Sequence, residues 1–344
     1  MTQMPKSPAW SLSDARATRA AAESRLGRMH RWMKPIAAYT VPLWSRIVAA
    51  LRGPRIYKQR MERVAQQMNR NRNAFTHYTP TDGDVVVSAY FKAGTNWIMH
   101  TCHQICHLGE AEFDHIQDVI PWPDAAEPRF WVHVDDPAPR ETPTGLRAIK
   151  SHLAANHMPI TANAKYIAVT RDPKDCAASA YHFFRSLVFG PSMPPPDIWL
   201  DFFASEDPNF GRWDAFTASW YALRDHPNVL FLTFEEVKAD TPAAIRRIVD
   251  FMGVTLTPEQ FEKVAHATSL PEMKKINHKF YPARQTAMTD PKGRMIRKGV
   301  TGDAGGLFSE AVRTKFDNNM QQGLVALNCD FPYQKLYGSG ETLK

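Results

Sequence analysis

The chain of 344 residues lacks an uncharged apolar run long enough to cross a bilayer. Its best candidate, residues 36–51, is too short and contains Arg46. Cysteine is also scarce. The spacing of the four cysteines does not correspond to a disulfide framework, and this is typical of reduced thiols in a cytosolic protein. The four are Cys102, Cys106, Cys176 and Cys329. We therefore expect a cytoplasmic protein without a transmembrane helix.

Acidic residues are scarce in the first 75 positions, which hold 15 Lys and Arg but only 3 acids. This segment has a net charge of +12 and the remainder −5, so the total of +7 is unevenly distributed. Apolar and aromatic residues such as Trp32 and Trp44 recur at near-helical spacing. We expect residues 1–75 to form a basic helical extension with a solvated charged face. Peripheral membrane contact through this extension and an organelle transit peptide stay open as alternatives.

Short apolar runs begin after this extension, at residues 84–90, 146–150, 165–170 and 229–234. Such runs, each followed by a helix signal or a polar loop, are typical of buried parallel strands. The sequence therefore predicts an α/β fold for residues 76–344, in which a central parallel sheet carries helices on both faces in a P-loop-like arrangement.

Proline-rich stretches at residues 121–143 and 191–208 separate these runs. They cannot be regular helix throughout. They contain large aromatic side chains, which predict ordered loops that wall an acceptor pocket: Trp122, Phe130, Trp131 and Trp199.

The sequence YFKAGTNW at residues 90–97 follows the first predicted strand. It places Gly94, Thr95 and Asn96 at a helix N-terminus, where free backbone N–H groups favour an anion. Lys92 adds a positive charge. The chain contains no Gly-Lys-Ser or Gly-Lys-Thr sequence, which disfavours a Walker-type ATPase or kinase. A helix merely capped by small polar residues is the alternative.

Two further strand ends carry basic residues. Lys150 and His152 are two positions apart, so both leave the same face if the strand extends that far. Arg171 stands before a well-capped helix start, and Ser179 follows about two turns later. A structural histidine and a surface arginine are the alternatives.

A loop near the C-terminus carries Arg297, Lys298 and Gly299. Glycine there allows the backbone to approach an anion closely.

A possible metal cluster lies on one helix. A helix turns by about 100° per residue, so the histidines share one face of this helix whereas the cysteines lie on a different part of its surface. A single ion therefore cannot bind all five side chains. We expect no metal at these residues: His100, Cys102, His103, Cys106 and His107.

In their order along the chain these segments resemble the sulfotransferase family that uses 3′-phosphoadenosine 5′-phosphosulfate (PAPS), in particular its cytosolic-type domain. The family's first loop reads approximately Y-P-K-S-G-T-x-W, and Phe91 and Ala93 replace its Pro and Ser. The resemblance implies that Lys92 contacts the bridging oxygen of the leaving phosphate. It also implies that Thr95 and Asn96 hold the 5′-phosphate, that Gly94 belongs to the same donor-binding loop and that Trp97 stacks on adenine.

The same resemblance assigns the other segments. Lys150 and His152 match the family's K-x-H motif with its catalytic base, and Arg171 and Ser179 match its 3′-phosphate ligands. The R-K-G-x-x-G-D-W element corresponds to residues 297–304, with Ala304 in place of Trp. The adenine side is assigned to three residues: Thr268, Leu270 and Phe234, the last where many relatives carry Tyr. Two glycines replace the family's dimer sequence, which leaves the oligomeric state open: Gly305 and Gly306.

The resemblance implies sulfuryl transfer from PAPS to a hydroxyl acceptor without a metal. The aromatic loops and the basic extension favour a small, apolar or lipid-like acceptor, and we expect no nucleic-acid partner. His152 is the expected general base, Lys150 neutralises the sulfuryl oxygens, and Lys92 stabilises the departing phosphate. Two alternatives stay open. One is a phosphoadenosine-binding or nucleotide-kinase-like protein without sulfuryl transfer, and the other is a membrane or nucleic-acid adaptor that uses the basic N-terminus.

Overall fold

The computed structural model describes residues 10–25, 40, 72–189, 193–205, 211–281 and 294–338. The chain forms two compact units. The first unit contains residues 1–18, 70–171 and 219–281, and the second contains residues 19–69, 172–218 and 282–344. The domain boundary at residue 75 stays a prediction. Apart from residue 40, the predicted amphipathic segments around residues 32–51 lie outside the described residues, and residues 12–25 form helix α1.

A four-stranded parallel sheet forms the core of the first unit, with strand order β2-β1-β3-β4. The strands confirm the four predicted runs to within a residue: β1 Asp84–Ala89, β2 Arg147–Ser151, β3 Lys165–Thr170 and β4 Val229–Thr233. Every residue of β1 and β2 is buried. Burial on both faces explains why the apolar residues of these strands are consecutive, as in Val85–Val87 and Ala148–Ile149, rather than alternating with polar ones.

Helices follow the strands, as the predicted α/β fold requires. In chain order they are α2 Thr95–Cys106, α3 Pro173–Phe184, α4 Pro196–Phe203, α5 Trp213–Tyr221, α6 Phe234–Ala239, α7 Thr241–Met252, α8 Pro258–Ala267, α9 Leu270–Lys275, α10 Glu310–Ala326 and α11 Tyr333–Tyr337. Within the part of the chain described, none of them is long and apolar enough to cross a membrane. The candidate stretch 36–51 falls outside that part.

Local sequence sets several of these helix starts. The side chain of Asp172 accepts a hydrogen bond from the Lys174 N–H, with Pro173 at the first position of α3, as predicted. Thr257 begins α8 with a reciprocal capping box to Gln260. Each cap supplies a partner to a backbone N–H that the helix itself cannot satisfy.

The prediction of a loop at residues 191–208 was wrong in one part, because Pro196–Phe203 form helix α4. Proline is compatible with the first turn of a helix, where its missing N–H costs nothing. Trp199 is fully buried in the second unit and donates to the Ala177 carbonyl at 2.8 Å. It therefore packs as a core residue of this helix rather than as a loop residue. The stretch 121–143 is a loop with two short 3₁₀ turns, as predicted.

The strand register brings four loops of the first unit to one edge of the sheet. Ser88 pairs with Ser151, Ala89 with Val169, and Thr170 with Thr233, so the carboxyl ends of all four strands are level. Ligand sites of open parallel sheets lie at this edge. The residues that follow the four strands are Lys92, His152, Arg171 and Phe234.

A buried ion pair connects the amino ends of β1 and β2, at the edge of the sheet opposite to the carboxyl ends. Arg147 donates from Nε to Asp84 at 2.8 Å, and neither side chain is more than 1% exposed. Arg140 and the Tyr78 hydroxyl also donate to Asp84. Removing one partner of such a pair leaves a buried charge without compensation.

We expect Asp84→Ala to lower the free energy of unfolding by about 3–5 kcal/mol, because Arg147 would stay buried without its carboxylate. Urea denaturation measures the change. Asp82→Ala is the control, since Asp82 is exposed two residues earlier, and a change below about 0.5 kcal/mol is expected there. Equal effects of the two substitutions would contradict a stabilising role for the ion pair.

Candidate active site

The loop after β1 turns sharply into helix α2. Lys92 has a backbone φ of 70° and Gly94 a φ of 95°, and Gly94 is the N-cap of α2. A Cβ at Gly94 would lie 2.9 Å from the Phe234 ring, so only glycine fits at this position. No side chain among the described residues caps α2, and its first turn carries no acid. As predicted, Thr95 and Asn96 begin the helix, where backbone N–H groups favour an anion.

Lys150 lies under two indole rings. Its Nζ is 3.5 Å from the centroid of the Trp122 ring and 5.0 Å from that of Trp131. Burial lowers the pKa of Lys150 to about 7, with Asp124 acting to raise it and Lys92 to lower it. Cation–π contacts of desolvated ammonium groups are worth about 2 kcal/mol, which helps this buried site to hold a charge.

His152 follows β2 and is buried against two aromatic rings, one of which also contacts Lys150. Its ring centroid lies 5.1 Å from that of Trp122 and 5.9 Å from that of Phe91. Its Nδ1 lies 2.6 Å from the Ala89 carbonyl oxygen, and because a carbonyl can only accept, Nδ1 carries the proton. In the neutral ring Nε2 then has a lone pair, which a general base requires.

Burial and, to a smaller extent, two neighbouring lysines keep this imidazole neutral. Burial lowers the pKa of His152 to about 3, and the charges of Lys150 and Lys92 act in the same direction. A neutral His152 therefore persists across the physiological range. The shared contact with Trp122 shows that Lys150 and His152 lie together, as their spacing predicted.

Asp124 is a residue of this site that the sequence analysis missed. It is buried in the loop between α2 and β2, and its Oδ2 accepts the backbone N–H of His152 at 2.9 Å. Burial raises the pKa of Asp124 to about 6, although the His152 N–H acts to lower it. No spacing pattern marks this residue, since it is one of several acids in a proline-rich loop.

Arg171 follows β3 and lies against the loop after β1. It donates from Nη1 to the Lys92 carbonyl at 3.4 Å, and its guanidinium carbon is 4.3 Å from the centroid of the Phe234 ring. Phe234 in turn packs edge-to-face on Trp97, with ring centroids 5.7 Å apart. The structure thus brings four predicted donor-site residues of the first unit into one contact network: Lys92, Trp97, Arg171 and Phe234.

Thr268 and Leu270 lie where α8 ends and α9 begins, and α8 packs against α2. Thr268 is fully buried, and its hydroxyl donates to the Val264 carbonyl of its own helix at 2.8 Å. That hydroxyl proton is consequently engaged within the helix. The predicted adenine-side roles of these two residues stay predictions.

The remaining predicted residues belong to the second unit. Ser179 lies half-buried on α3, one turn before His182, whose pKa is lowered by burial and by Arg297. Residues three apart share a helix face, so Ser179 and Arg297 belong to one region of this unit. Asp303 pairs with Arg297 and with Lys298, and Gly299 follows with a φ of 61°.

Asp175 anchors this loop on α3. Its carboxylate accepts backbone N–H groups of Gly302 at 2.8 Å and of Ala304 at 3.0 Å. Burial acts to raise the pKa of Asp303, but Lys298 and Arg297 lower it to about 2. The loop that carries the predicted phosphate ligands is therefore fixed to the helix that carries Ser179.

The histidine and cysteine cluster of α2 faces the interior. His100 packs edge-to-face on Phe113 and on Phe280, and burial lowers its pKa to about 4. Burial also raises the pKa of Cys106 to about 12, so its thiol stays protonated. Across the described ranges, no three His, Cys, Asp or Glu side chains are grouped to hold a metal ion.

The donor predicted from the resemblance fits the charges of the first unit. PAPS is a polyanion, and the carboxyl edge of the sheet carries Lys92, Lys150 and Arg171 beside the N-terminus of α2. Asp124 contributes an acid at this edge, where it binds the backbone of His152. Cationic side chains and helix N–H groups are the donor set that phosphate and sulfate groups require.

Comparison with known proteins identifies the family. A family model described as the sulfotransferase domain matches residues 82–340. Human Sulfotransferase 2A1 is 29% identical over 266 residues, which cover 74% of this chain and 88% of that protein. Sulfotransferase 1C2 of Rattus norvegicus is 28% identical over 263 residues, which cover 72% and 85%.

Solved structures have the same fold. Mouse sulfotransferase SULT7A1, complexed with PAP, matches with a TM-score of 0.57 at 24% identity and covers 79% of this chain and 92% of its own. Retinol dehydratase, complexed with retinol and PAP, matches with a TM-score of 0.59 at 20% identity and covers 77% and 87%. These likenesses confirm the predicted fold class. The family match spans all four strand-end loops and the loop at residues 297–304. The predicted enzyme class is therefore confirmed as well, and the chain belongs to the sulfotransferase family.

Proposed function

We propose that this sulfotransferase transfers the sulfuryl group of PAPS to a hydroxyl of a small apolar molecule, with His152 as general base. The sulfotransferase activity and its donor PAPS follow from the family. The base, the roles of the individual residues and the class of acceptor are the proposal. The single observation that carries it is the hydrogen bond between His152 Nδ1 and the Ala89 carbonyl, since it leaves Nε2 as the acceptor of a proton.

The chemistry requires few groups. His152 Nε2 takes the proton of the acceptor hydroxyl as the new S–O bond forms and the bond from sulfur to the phosphate oxygen breaks. Lys150, as an ammonium, stabilises the negative charge of the sulfuryl oxygens. Lys92 and the N-terminal N–H groups of α2 stabilise the departing phosphate. The proton moves to nitrogen and the electron pair of the broken bond to the phosphate, so no other reagent is needed.

The walls of the pocket favour an apolar acceptor. Phe91, Trp122 and Trp131 surround the two reactive side chains. Aromatic rings bind apolar surface well, and a few polar groups then orient the ligand. We therefore propose a phenol or a hydrophobic alcohol as the acceptor. A cytoplasmic location and membrane contact through residues 1–75 stay predictions.

Replacing the proposed base tests this mechanism. With sulfur-labelled PAPS and a panel of phenols, sterols and sugars, we expect His152→Ala to lower label transfer at least about 10²–10⁴-fold. The dissociation constant of adenosine 3′,5′-bisphosphate should stay within about threefold, because the base acts on the acceptor side. His157→Ala, a half-buried histidine five residues later, is the control. Normal turnover of His152→Ala would exclude the assignment, and donor binding without label transfer by the unaltered enzyme would favour a non-catalytic nucleotide-binding protein.

The charge of Lys150 should appear in the pH profile. We expect kcat/KM to fall as the pH rises through the pKa of Lys150, about 7 in the free enzyme, because the neutral amine cannot stabilise the sulfuryl oxygens. Asp124→Asn should move this alkaline limb to lower pH, because it removes an anion that raises the pKa of Lys150. One pH unit of movement corresponds to about a tenfold loss above the limb.

The neighbouring acid Asp114 provides the matched control for this profile. Asp114 is exposed in the same α2–β2 loop, and Asp114→Asn should leave the limb in place. An alkaline limb that is insensitive to Asp124→Asn would show that Lys150 is not the titrating group.

Arg171 is the third test, because we propose that it binds the 3′-phosphate. Arg171→Ala should weaken adenosine 3′,5′-bisphosphate by about 2 kcal/mol, roughly 30-fold, which is typical of a lost charge-assisted hydrogen bond. Adenosine 5′-phosphate should bind both enzymes equally, since it lacks the 3′-phosphate. Calorimetric titration measures the dissociation constants of both nucleotides. The same two nucleotides test Ser179→Ala and Arg297→Ala.

The control variant is Arg129→Ala, an exposed arginine of the α2–β2 loop. If Arg171→Ala weakened the two nucleotides to the same extent, the 3′-phosphate assignment would be refuted.

A further inference from the structure

The N-terminal extension contacts the wall of the active site within the first unit. Trp10 donates from its indole N–H to the Trp131 carbonyl at 2.9 Å. Its ring packs edge-to-face on His133, with centroids 4.4 Å apart. Six residues later, Arg16 pairs with the buried Asp118 at 3.1 Å. The extension is thus attached at two points to the α2–β2 loop, which carries the indole rings over Lys150.

These contacts continue to the reactive groups. The rings of Trp131 and Trp122 pack edge-to-face at 5.0 Å. Lys150 lies beneath both rings, and Trp122 also contacts the His152 ring. Trp10 is therefore connected to the ammonium through a single residue, Trp131. The family match begins at residue 82, so this contact comes from a part of the chain outside the matched domain.

We propose that Trp10 is a positioning residue of the sulfotransferase reaction, which holds the Trp131 indole over Lys150 and thereby keeps water from the ammonium. The extension then completes the active-site wall and contributes to the efficiency of the enzyme. This inference rests on the proposed role of Lys150.

The physical reason is the lack of regular structure around Trp131. Only a short 3₁₀ turn, Pro128–Phe130, precedes it, so few backbone hydrogen bonds fix its position. Its own N–H donates to the Pro128 carbonyl at 2.9 Å, within the same turn. A hydrogen bond to its carbonyl from another segment adds a long-range restraint. Without it, the wall can open, and a misplacement of about 1 Å in a catalytic site can cost up to about 10²-fold in rate.

Entry of water would change the pKa of Lys150 in a direction that can be measured. Three groups that can carry charge face Lys150: Lys92 from the loop after β1, Asp124 from the α2–β2 loop, and His152 after β2. Burial lowers the pKa of Lys150 more than these neighbours change it. A more hydrated Lys150 therefore has a higher pKa, and the alkaline limb of kcat/KM moves to higher pH. The direction is opposite to that expected for Asp124→Asn.

The test compares full-length Trp10→Ala and Trp10→Phe with the unaltered enzyme, at saturating PAPS and between about pH 6 and 9, where Lys150 titrates. We expect Trp10→Ala to lower kcat/KM for the acceptor about tenfold at pH 7 and to move the alkaline limb to higher pH. Trp10→Phe keeps a ring beside His133 but lacks the N–H donor, and an intermediate effect is expected. Thr18→Ala, exposed on helix α1, should match the unaltered enzyme.

Concentrations of active enzyme come from titration with adenosine 3′,5′-bisphosphate, so that misfolded protein does not enter the comparison. A purely structural role would lower the melting temperature of Trp10→Ala but leave kcat/KM and the limb per active site unchanged, and that result would overturn the proposal. The variant Lys150→Met tests the proposed role of Lys150 separately from the positioning role of Trp10. If it retains full activity, the proposed role of Lys150 fails, whereas if only the Trp10 variants retain full activity, the positioning role fails alone.

Discussion

The burial of an ammonium group beside a neutral imidazole is the constraint on which the site depends. Lys150 and His152 lie in an aromatic environment, where electrostatic interactions are stronger than in water and where an uncompensated charge is costly. Both pKa values are lowered by this burial. The same desolvation therefore keeps His152 neutral and holds the pKa of Lys150 near neutral pH.

The sheet makes this arrangement possible. Because β1 and β2 are parallel and in register, the Ala89 carbonyl at the end of one strand lies where the His152 ring after the other can donate to it. The tautomer of His152, the proposed base, is thus determined by strand pairing rather than by a dedicated side chain. An acid in this position would raise the pKa of the imidazole, whereas a carbonyl orients the ring without adding a charge.

Regular structure and local motifs were readable from the sequence because each depends on neighbours in the chain. The four strands follow from continuous apolar runs, and the start of α3 from Asp172 and Pro173. The contacts of Asp124 and Trp131 depend instead on chain segments far apart in sequence. Asp124 reaches His152 across 28 residues, and Trp10 reaches Trp131 across 121. Periodic patterns of apolar residues do not indicate such long-range pairs, so the pairs are visible only in the folded chain.

The departures from the family pattern can now be given physical consequences. Phe234 lacks the hydroxyl that many relatives carry, yet its ring supports both the Arg171 guanidinium and the Trp97 ring. Its edge also lies so close to Gly94 that no Cβ is tolerated there. Phe in place of Tyr removes a polar group from the proposed purine region but preserves the aromatic surface. Because stacking and cation–π contacts need only that surface, the substitution is compatible with donor binding.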